Sequence, residues 1–384
     1  MIKFMTKNFL RAIATLTGTI VGVGMLGLPY LAEQSGLITI LFYFLFLGAS
    51  AILIQMAYSE VVLKTKGDHQ LAGYVAIHLG RSWRGFTSIV FILGLLGALL
   101  AYVVVGGQIL FLALSPFLGG TLMIYTAVNF ILAALFIFRG SKMIARGELL
   151  MIGFMIGVVF LLFFFNLIKI SASNFNLSFG QNLFLPYGAI VFSLWGSSAI
   201  PIIKKILAKE AVKIRSVTLW SVLISILIYL IFIITVGGLL GAEVKENALD
   251  GIAGVLPTWL TILTLLLGYF AVFTSFISLG DALKENFSED YKISYLLSWL
   301  LAISIPLAMF LAGFQDFLFV ISITGAVALG IFGVIMGLLY LKTKKLPLPS
   351  NAGRPLNLPN WLVYMLITIF LLGAVGEIYF SVTK

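Results

Sequence analysis

Gly22-Val-Gly-Met-Leu-Gly-Leu-Pro29 lies inside the first long hydrophobic run of the chain, and its reading decides the fold. A helix crossing a bilayer satisfies its backbone N–H and C=O groups within itself. Three glycines and a proline within eight residues work against that, because glycine weakens a helix and proline removes a donor. In lipid, freed backbone groups survive only where protein buries them or where they line a cavity. An interruption here therefore predicts a binding site made of main chain.

The surroundings fit. Of 384 residues, 61% are hydrophobic and 10% charged, and the mean hydropathy of +1.14 excludes a soluble globular chain. Runs of about 20 apolar residues, the length that crosses a bilayer, fall at 9–32, 36–63, 85–114, 120–138, 148–168, 184–206, 214–241, 257–283, 293–312, 317–341 and 359–381. The predicted fold class is an all-α membrane protein of eleven spans. The first run continues into Pro29 and Tyr30 with no small-residue cleavage site, so it reads as a span and not as a removable leader. With the N-terminus inside, 21 of the 24 Lys and Arg residues fall on the cytoplasmic side, leaving Lys169, Lys245 and Lys384 outside. That asymmetry follows the positive-inside rule and puts the C-terminus outside. The basic excess is thus topological and does not indicate nucleic acid.

A second interruption lies in the sixth run, Ala189-Ile-Val-Phe-Ser-Leu-Trp-Gly-Ser-Ser-Ala-Ile-Pro201. The first and sixth runs correspond if residues 1–170 form one five-helix repeat and residues 184–341 an inverted second. Residues 342–384 then supply a Pro-rich connector and an extra eleventh helix. Paired interruptions in corresponding halves are the sequence pointer to a secondary transporter site. Half-helix N-termini suit a carboxylate and C-terminal carbonyls suit an ammonium group or a hard cation. Neither interruption contains Asp, Glu, Lys or Arg, so the favoured ligand is a zwitterion such as an α-amino acid. In the eighth run, Thr274 and Ser275 place adjacent hydroxyls in an apolar helix. Alone they read as back-bonded hydroxyls; beside carbonyls of a broken helix they can complete an oxygen cage.

Gly22-x-Gly-x-x-Gly-Leu-Pro-Tyr30, followed by Gly36, resembles the first-helix signature of the amino acid/auxin permease family of the amino acid–polyamine–organocation superfamily. The run from Gly67 to Gly80, Phe192-Ser-Leu-Trp-Gly196 with Ile200-Pro201, and Phe273-Thr-Ser-Phe-Ile-Ser-Leu-Gly280 are similar to further segments of that family. The resemblance implies the five-plus-five inverted-repeat fold of the sodium-coupled leucine transporter. It implies substrate contacts at Ile20, Gly22, Val23, Gly24, Phe192, Ser193, Trp195 and Gly196, with Phe192 and Trp195 shaping the side-chain pocket. It also implies a sodium site from the carbonyls of Gly18, Val21 and Ala271 with the hydroxyls of Thr274 and Ser275. Proton-coupled relatives carry a mid-depth lysine in the fifth span. Here Lys142 and Arg146 lie only at its start, which favours Na⁺ over H⁺ as the coupling ion.

Other polar residues carry weaker expectations. Residues 70–79 read as a short amphipathic cytoplasmic helix, with His69 and His78 as surface residues. Glu33 is placed at the outer end of the first span, as a gate or a cap. Glu60, Glu148, Asp281 and Glu377 read as interfacial carboxylates, with Glu148 the candidate for proton handling. Tyr102 and Gln108 fall in the third span, which lines the pocket in the related fold. No run carries the polar stripe a channel needs, and no catalytic cluster lies in the membrane. The interruptions also lack the carboxylates and histidines of a metal carrier. The expectation is a secondary active, ion-coupled symporter of neutral, hydrophobic or aromatic amino acids, working by alternating access in the inner or plasma membrane. It needs no cofactor beyond its coupling ion and performs no enzymatic step.

Overall fold

The computed structural model describes residues 6–67, 69–140, 148–180, 182–252, 254–349 and 352–383, and among these every regular element is helical. The first span is broken where its sequence breaks it. Helix α1 (Lys7–Ile20) opens on Thr6, whose hydroxyl accepts from Phe9 N at 3.2 Å, as an N-cap does. The chain leaves the helix at Val21 and makes a 3₁₀ turn, Val23–Gly27. It re-enters as α2 (Leu28–Ser35), whose Pro29 sits in the first turn, where a missing N–H costs nothing. The two halves meet at 51°.

Gly36, at φ 87°, turns the chain into α3 (Leu37–Lys64), a conformation that favours glycine. Then follow α4 (Leu71–His78), α5 (Arg81–Leu118), α6 (Leu122–Arg139) and α7 (Glu148–Asn166). The sixth span repeats the pattern of the first. Helix α8 (Leu185–Ser193) unwinds at 194–196, a 3₁₀ turn covers Ser197–Ala199, and α9 (Ile200–Leu207) starts on Ile200-Pro201. The second half continues with α10 (Ile214–Leu240), the short α11 (Ala248–Ile252), α12 (Thr258–Glu285) and α13 (Tyr295–Leu311). The tenth span is α14 (Phe317–Ile323), a π-helical turn (Thr324–Leu329) and α15 (Gly330–Thr343), and α16 (Asn360–Thr383) ends the chain.

Eight of the described helical segments are long and apolar enough to cross a membrane, and the bent α1–α2 pair makes a ninth. Two shorter apolar helices, Gly153–Asn166 and Tyr295–Leu311, occupy the fifth and ninth predicted runs. The predicted cytoplasmic helix between the second and third runs is present as α4, and His78 bonds Thr65 Oγ1 at 2.8 Å.

Three carboxylates expected at the interface are buried instead. Glu60, with its side chain 1% exposed, pairs with Lys64 at 2.7 Å and Arg215 at 2.6 Å. It also accepts the main-chain N–H of Leu356 at 2.6 Å, so the Pro-rich connector folds back beneath α3 and α10. Asp281 pairs with Lys284 at 2.6 Å, and Lys284 donates to the Ile137 carbonyl at the end of α6 at 2.8 Å. Glu377 is buried on α16. Burial of such groups requires partners: Lys64 and Lys284 lie one turn along the same helices, while Arg215 and Leu356 reach Glu60 from distant parts of the chain. Glu33 offers its carbonyl to Asn176 Nδ2 at 2.7 Å, an anchor for the connection between α7 and α8. Lys142, Arg146 and the side chain of Glu148 lie outside the described residues.

Candidate functional site

The two interruptions meet. A Cβ on Gly24, in the first 3₁₀ turn, would collide with Ser193 Oγ and lie 3.2 Å from Phe192 Cδ1, both at the end of α8. A Cβ on Gly196, within the second interruption, would lie 2.6 Å from Ile20 Cγ1 and 2.7 Å from Leu16 Cδ1, both in the last turns of α1. Each turn thus packs on the half-helix that precedes the other, and glycine is what permits the approach. Val23 and Gly24 are buried in the first turn.

Both interruptions leave main chain unpaired. The N–H groups of Gly22, Val23 and Gly24 make no helical hydrogen bond, and neither do those of Gly196, Ser197 and Ser198. The Ile20 and Ser193 carbonyls accept no helical N–H, because the chain unwinds directly after each. Buried backbone groups are rarely left in this state. Tyr229 of α10 reaches both carbonyls, its hydroxyl oxygen 2.7 Å from Ile20 O and 2.7 Å from Ser193 O. On the other side of the second interruption, Gln55 of α3 donates to the Leu194 carbonyl at 3.2 Å.

Beside the first interruption lies a cavity of about 110 Å³ between α1, α5, α7 and α12, roomy enough for several waters. Gly18, Val21, Ala271, Thr274 and Ser275 all line it, and Thr19, Tyr102 and Ser278 add three more hydroxyls. Thr274 Oγ1 donates to the Phe270 carbonyl at 2.8 Å, which leaves its lone pairs for another partner. A donor set of neutral oxygens suits a hard cation. Gly22 joins this cavity to the interruption: its Cβ position is 3.9 Å from Tyr102 Oη and 4.0 Å from Ser275 Oγ, with no closer neighbour.

The eight predicted substrate residues therefore fall in two groups. Ile20, Gly22, Val23, Gly24, Phe192, Ser193 and Gly196 come together at the crossing of the interruptions. Trp195 is adjacent in sequence, but its ring packs edge-on against Phe370 of α16, centroids 6.0 Å apart, and its indole N–H is buried without an acceptor. Gln108 accepts from Asn247 Nδ2 at 3.2 Å, a bond from α5 to the connection just before α11, on the predicted outer side.

Three features of the site escaped sequence reading. Tyr229 is a lone tyrosine in an apolar run and reads as core. Gln55 gives no local signal either. The π-helical turn in the tenth span packs Gly325 directly against the main chain of Gly188 and Phe192, and such turns recur at functional sites. The pair Thr324-Gly325 was its only available sign.

Residues 5–373 match the tryptophan/tyrosine permease family. The chain belongs to that family. The match makes it an amino-acid permease, a transporter and not an enzyme; it does not extend to the amino acid/auxin permeases that the motifs resemble. No curated protein matches the chain. Among solved structures, the crystal structure of MhsT in complex with L-phenylalanine superposes with a TM-score of 0.70 over 94% of this chain and 98% of that one, at 15% identity. At that identity the likeness shows the fold.

Proposed function

We propose that the chain is an ion-coupled symporter of aromatic and other hydrophobic amino acids, most directly tryptophan, tyrosine and phenylalanine. The observation that carries this reading is the crossing of two interrupted helices, whose unpaired main-chain groups can meet both charges of a zwitterion with no ionised side chain. Carboxylate oxygens would take the free N–H groups of Gly22, Val23 and Gly24. The ammonium group would take carbonyls at the ends of α1 and α8. Phe192 borders this point, and Trp195, turned toward α16, would act on the pocket through its backbone. The family matched and the L-phenylalanine bound to MhsT both favour an aromatic side chain.

The cavity lined by Gly18, Val21, Ala271, Thr274 and Ser275 is the proposed place of the coupling ion. Its neutral oxygens favour Na⁺ over a proton. Gly22 faces Ser275, so ion and substrate would share one wall.

The chain would cross the inner or plasma membrane eleven times, with the N-terminus cytoplasmic and the C-terminus outside. Residues 1–170 and 184–341 would form the inverted repeats. Two observations support the repeat: the reciprocal packing of Gly24 and Gly196, and the same order of half-helix, 3₁₀ turn and X-Pro start in both spans. Transport would proceed by alternating access, the first, second, sixth and seventh spans rocking against the rest.

Purified protein in liposomes tests the reading. Uptake of labelled L-tryptophan driven by an inward Na⁺ gradient is expected. Uptake that ignores Na⁺ and follows a pH gradient reassigns the ion to H⁺, and no uptake of any aromatic amino acid overturns the substrate class.

A further inference from the structure

Tyr229 bridges the last carbonyls of the half-helices α1 and α8, and the transport reading assigns it no role. It is fully buried on α10, and its ring is held against Phe44 of α3, centroids 6.1 Å apart and planes at 24°. Its hydroxyl oxygen is equidistant, at 2.7 Å, from the terminal carbonyls of α1 and α8. Those carbonyls are the negative ends of two half-helices. A tyrosine hydroxyl carries a single hydrogen, so it can donate to only one of them at a time. The acceptor pair is one donor short.

We propose that Tyr229 is a positioning residue that ties the two interruptions into one unit. Its hydroxyl hydrogen, exchanged between the Ile20 and Ser193 carbonyls, holds the two half-helix ends at a fixed spacing. Without it, two partly negative carbonyls would face each other in a buried place with no donor between them, an arrangement that favours their separation. The carbonyl lacking the hydrogen at any instant is the acceptor left for a substrate ammonium group. This last part rests on the transport reading; the tie between the helices does not.

The test compares wild type, Tyr229→Phe and Phe44→Leu, each purified in detergent, by hydrogen–deuterium exchange and by equilibrium binding of labelled L-tryptophan. In Tyr229→Phe, peptides covering residues 20–25 and 193–198 are expected to exchange about tenfold faster together, the size of one hydrogen bond. Phe44→Leu, which loosens the same ring but keeps the hydroxyl, is expected to lower thermal stability while both peptide sets stay protected. L-Tryptophan affinity is expected to fall about tenfold in Tyr229→Phe only. Wild-type exchange at both interruptions, or acceleration at one alone, overturns the tie. Unchanged affinity alongside faster exchange overturns the ammonium part. A wild type that binds no aromatic amino acid overturns the transport reading and leaves the exchange comparison to decide the tie. If Tyr229→Phe does not purify folded, Tyr229→Met, which likewise carries no donor, takes its place in the same comparison; faster exchange at both interruptions is expected, and wild-type exchange or a change at one interruption alone overturns the proposal.

Discussion

Gly24 and Ser193 touch across the two interruptions, so closely that any side chain on Gly24 would have to displace the Ser193 hydroxyl. Gly24→Val is therefore expected to abolish L-tryptophan uptake while the protein still purifies as a folded species, since overpacking typically costs about 1–3 kcal/mol. Gly22→Ala is the control. Its Cβ would meet nothing closer than 3.9 Å, so the fold should be retained and the added methyl should intrude only on the space before Tyr102 and Ser275. Normal uptake by Gly24→Val would contradict a site built on this contact.

Thr274 and Ser275 are the side-chain oxygens of the proposed ion cavity. Replacing both with alanine is expected to raise the Na⁺ concentration for half-maximal L-tryptophan binding at least tenfold, about 1.4 kcal/mol. Binding titrations at fixed ionic strength, with choline replacing Na⁺, measure this. An unaltered Na⁺ dependence would remove the cavity from consideration.

Glu60 accepts from Lys64, Arg215 and the Leu356 main chain in a place from which water is excluded. Glu60→Gln leaves two cations short of a counter-charge, and breaking a buried ion pair costs about 3–5 kcal/mol. A clear fall in the thermal unfolding midpoint is expected. Adding Arg215→Ala should cost less than the sum of the two changes, because both residues belong to one network.

His78 gives the chain a pH response outside the membrane. Burial holds its imidazole below the ordinary histidine value of 6.5. The folded state thus prefers neutral His78, and the unfolded chain binds the proton first as pH falls. The contribution is complete above about 6.5 and is lost as pH falls through the lower folded value. Peptides of α4 should lose exchange protection on acidification below about pH 6.5, and His78→Gln should flatten that profile. Equal acid sensitivity in the variant would place the response elsewhere.

The parts of this fold visible in the sequence are those with a local cause. Gly22, Gly24, Gly27 and Gly196 weaken a helix locally, and Pro29 and Pro201 fit one only in its first turn, so both interruptions could be read before any contact was known. Apolar run length marked the helices for the same reason. The convergence of Thr274 and Ser275 with Gly18 and Val21 was available only through resemblance, since the two groups are far apart in the chain. What stayed hidden depends on pairing across distance. Glu60 resembles any carboxylate at a helix end until Arg215 and Leu356 arrive. Tyr229 resembles any buried aromatic until two carbonyls are found at its hydroxyl. Trp195 entered as a pocket residue through the resemblance, and the edge-on contact of its ring with Phe370 is a pairing across distance that no local pattern announces.

The bond from Leu356 to Glu60 spans 296 residues, and it sets an order of events during synthesis. Glu60 leaves the ribosome early, at the end of the second span, and its acceptor oxygens must wait for nearly the whole chain. Until the connector before α16 emerges, the carboxylate has only Lys64 and then Arg215 to neutralise it, and this end of the helices stays unsealed. A ribosome-bound chain that stops short of residue 356 therefore carries every interrupted helix but not the strap beneath them. Closure of the face that the charge pattern predicts to be cytoplasmic would be one of the last steps of assembly, so proteases acting on nascent chains should find that face accessible late and then lose access abruptly.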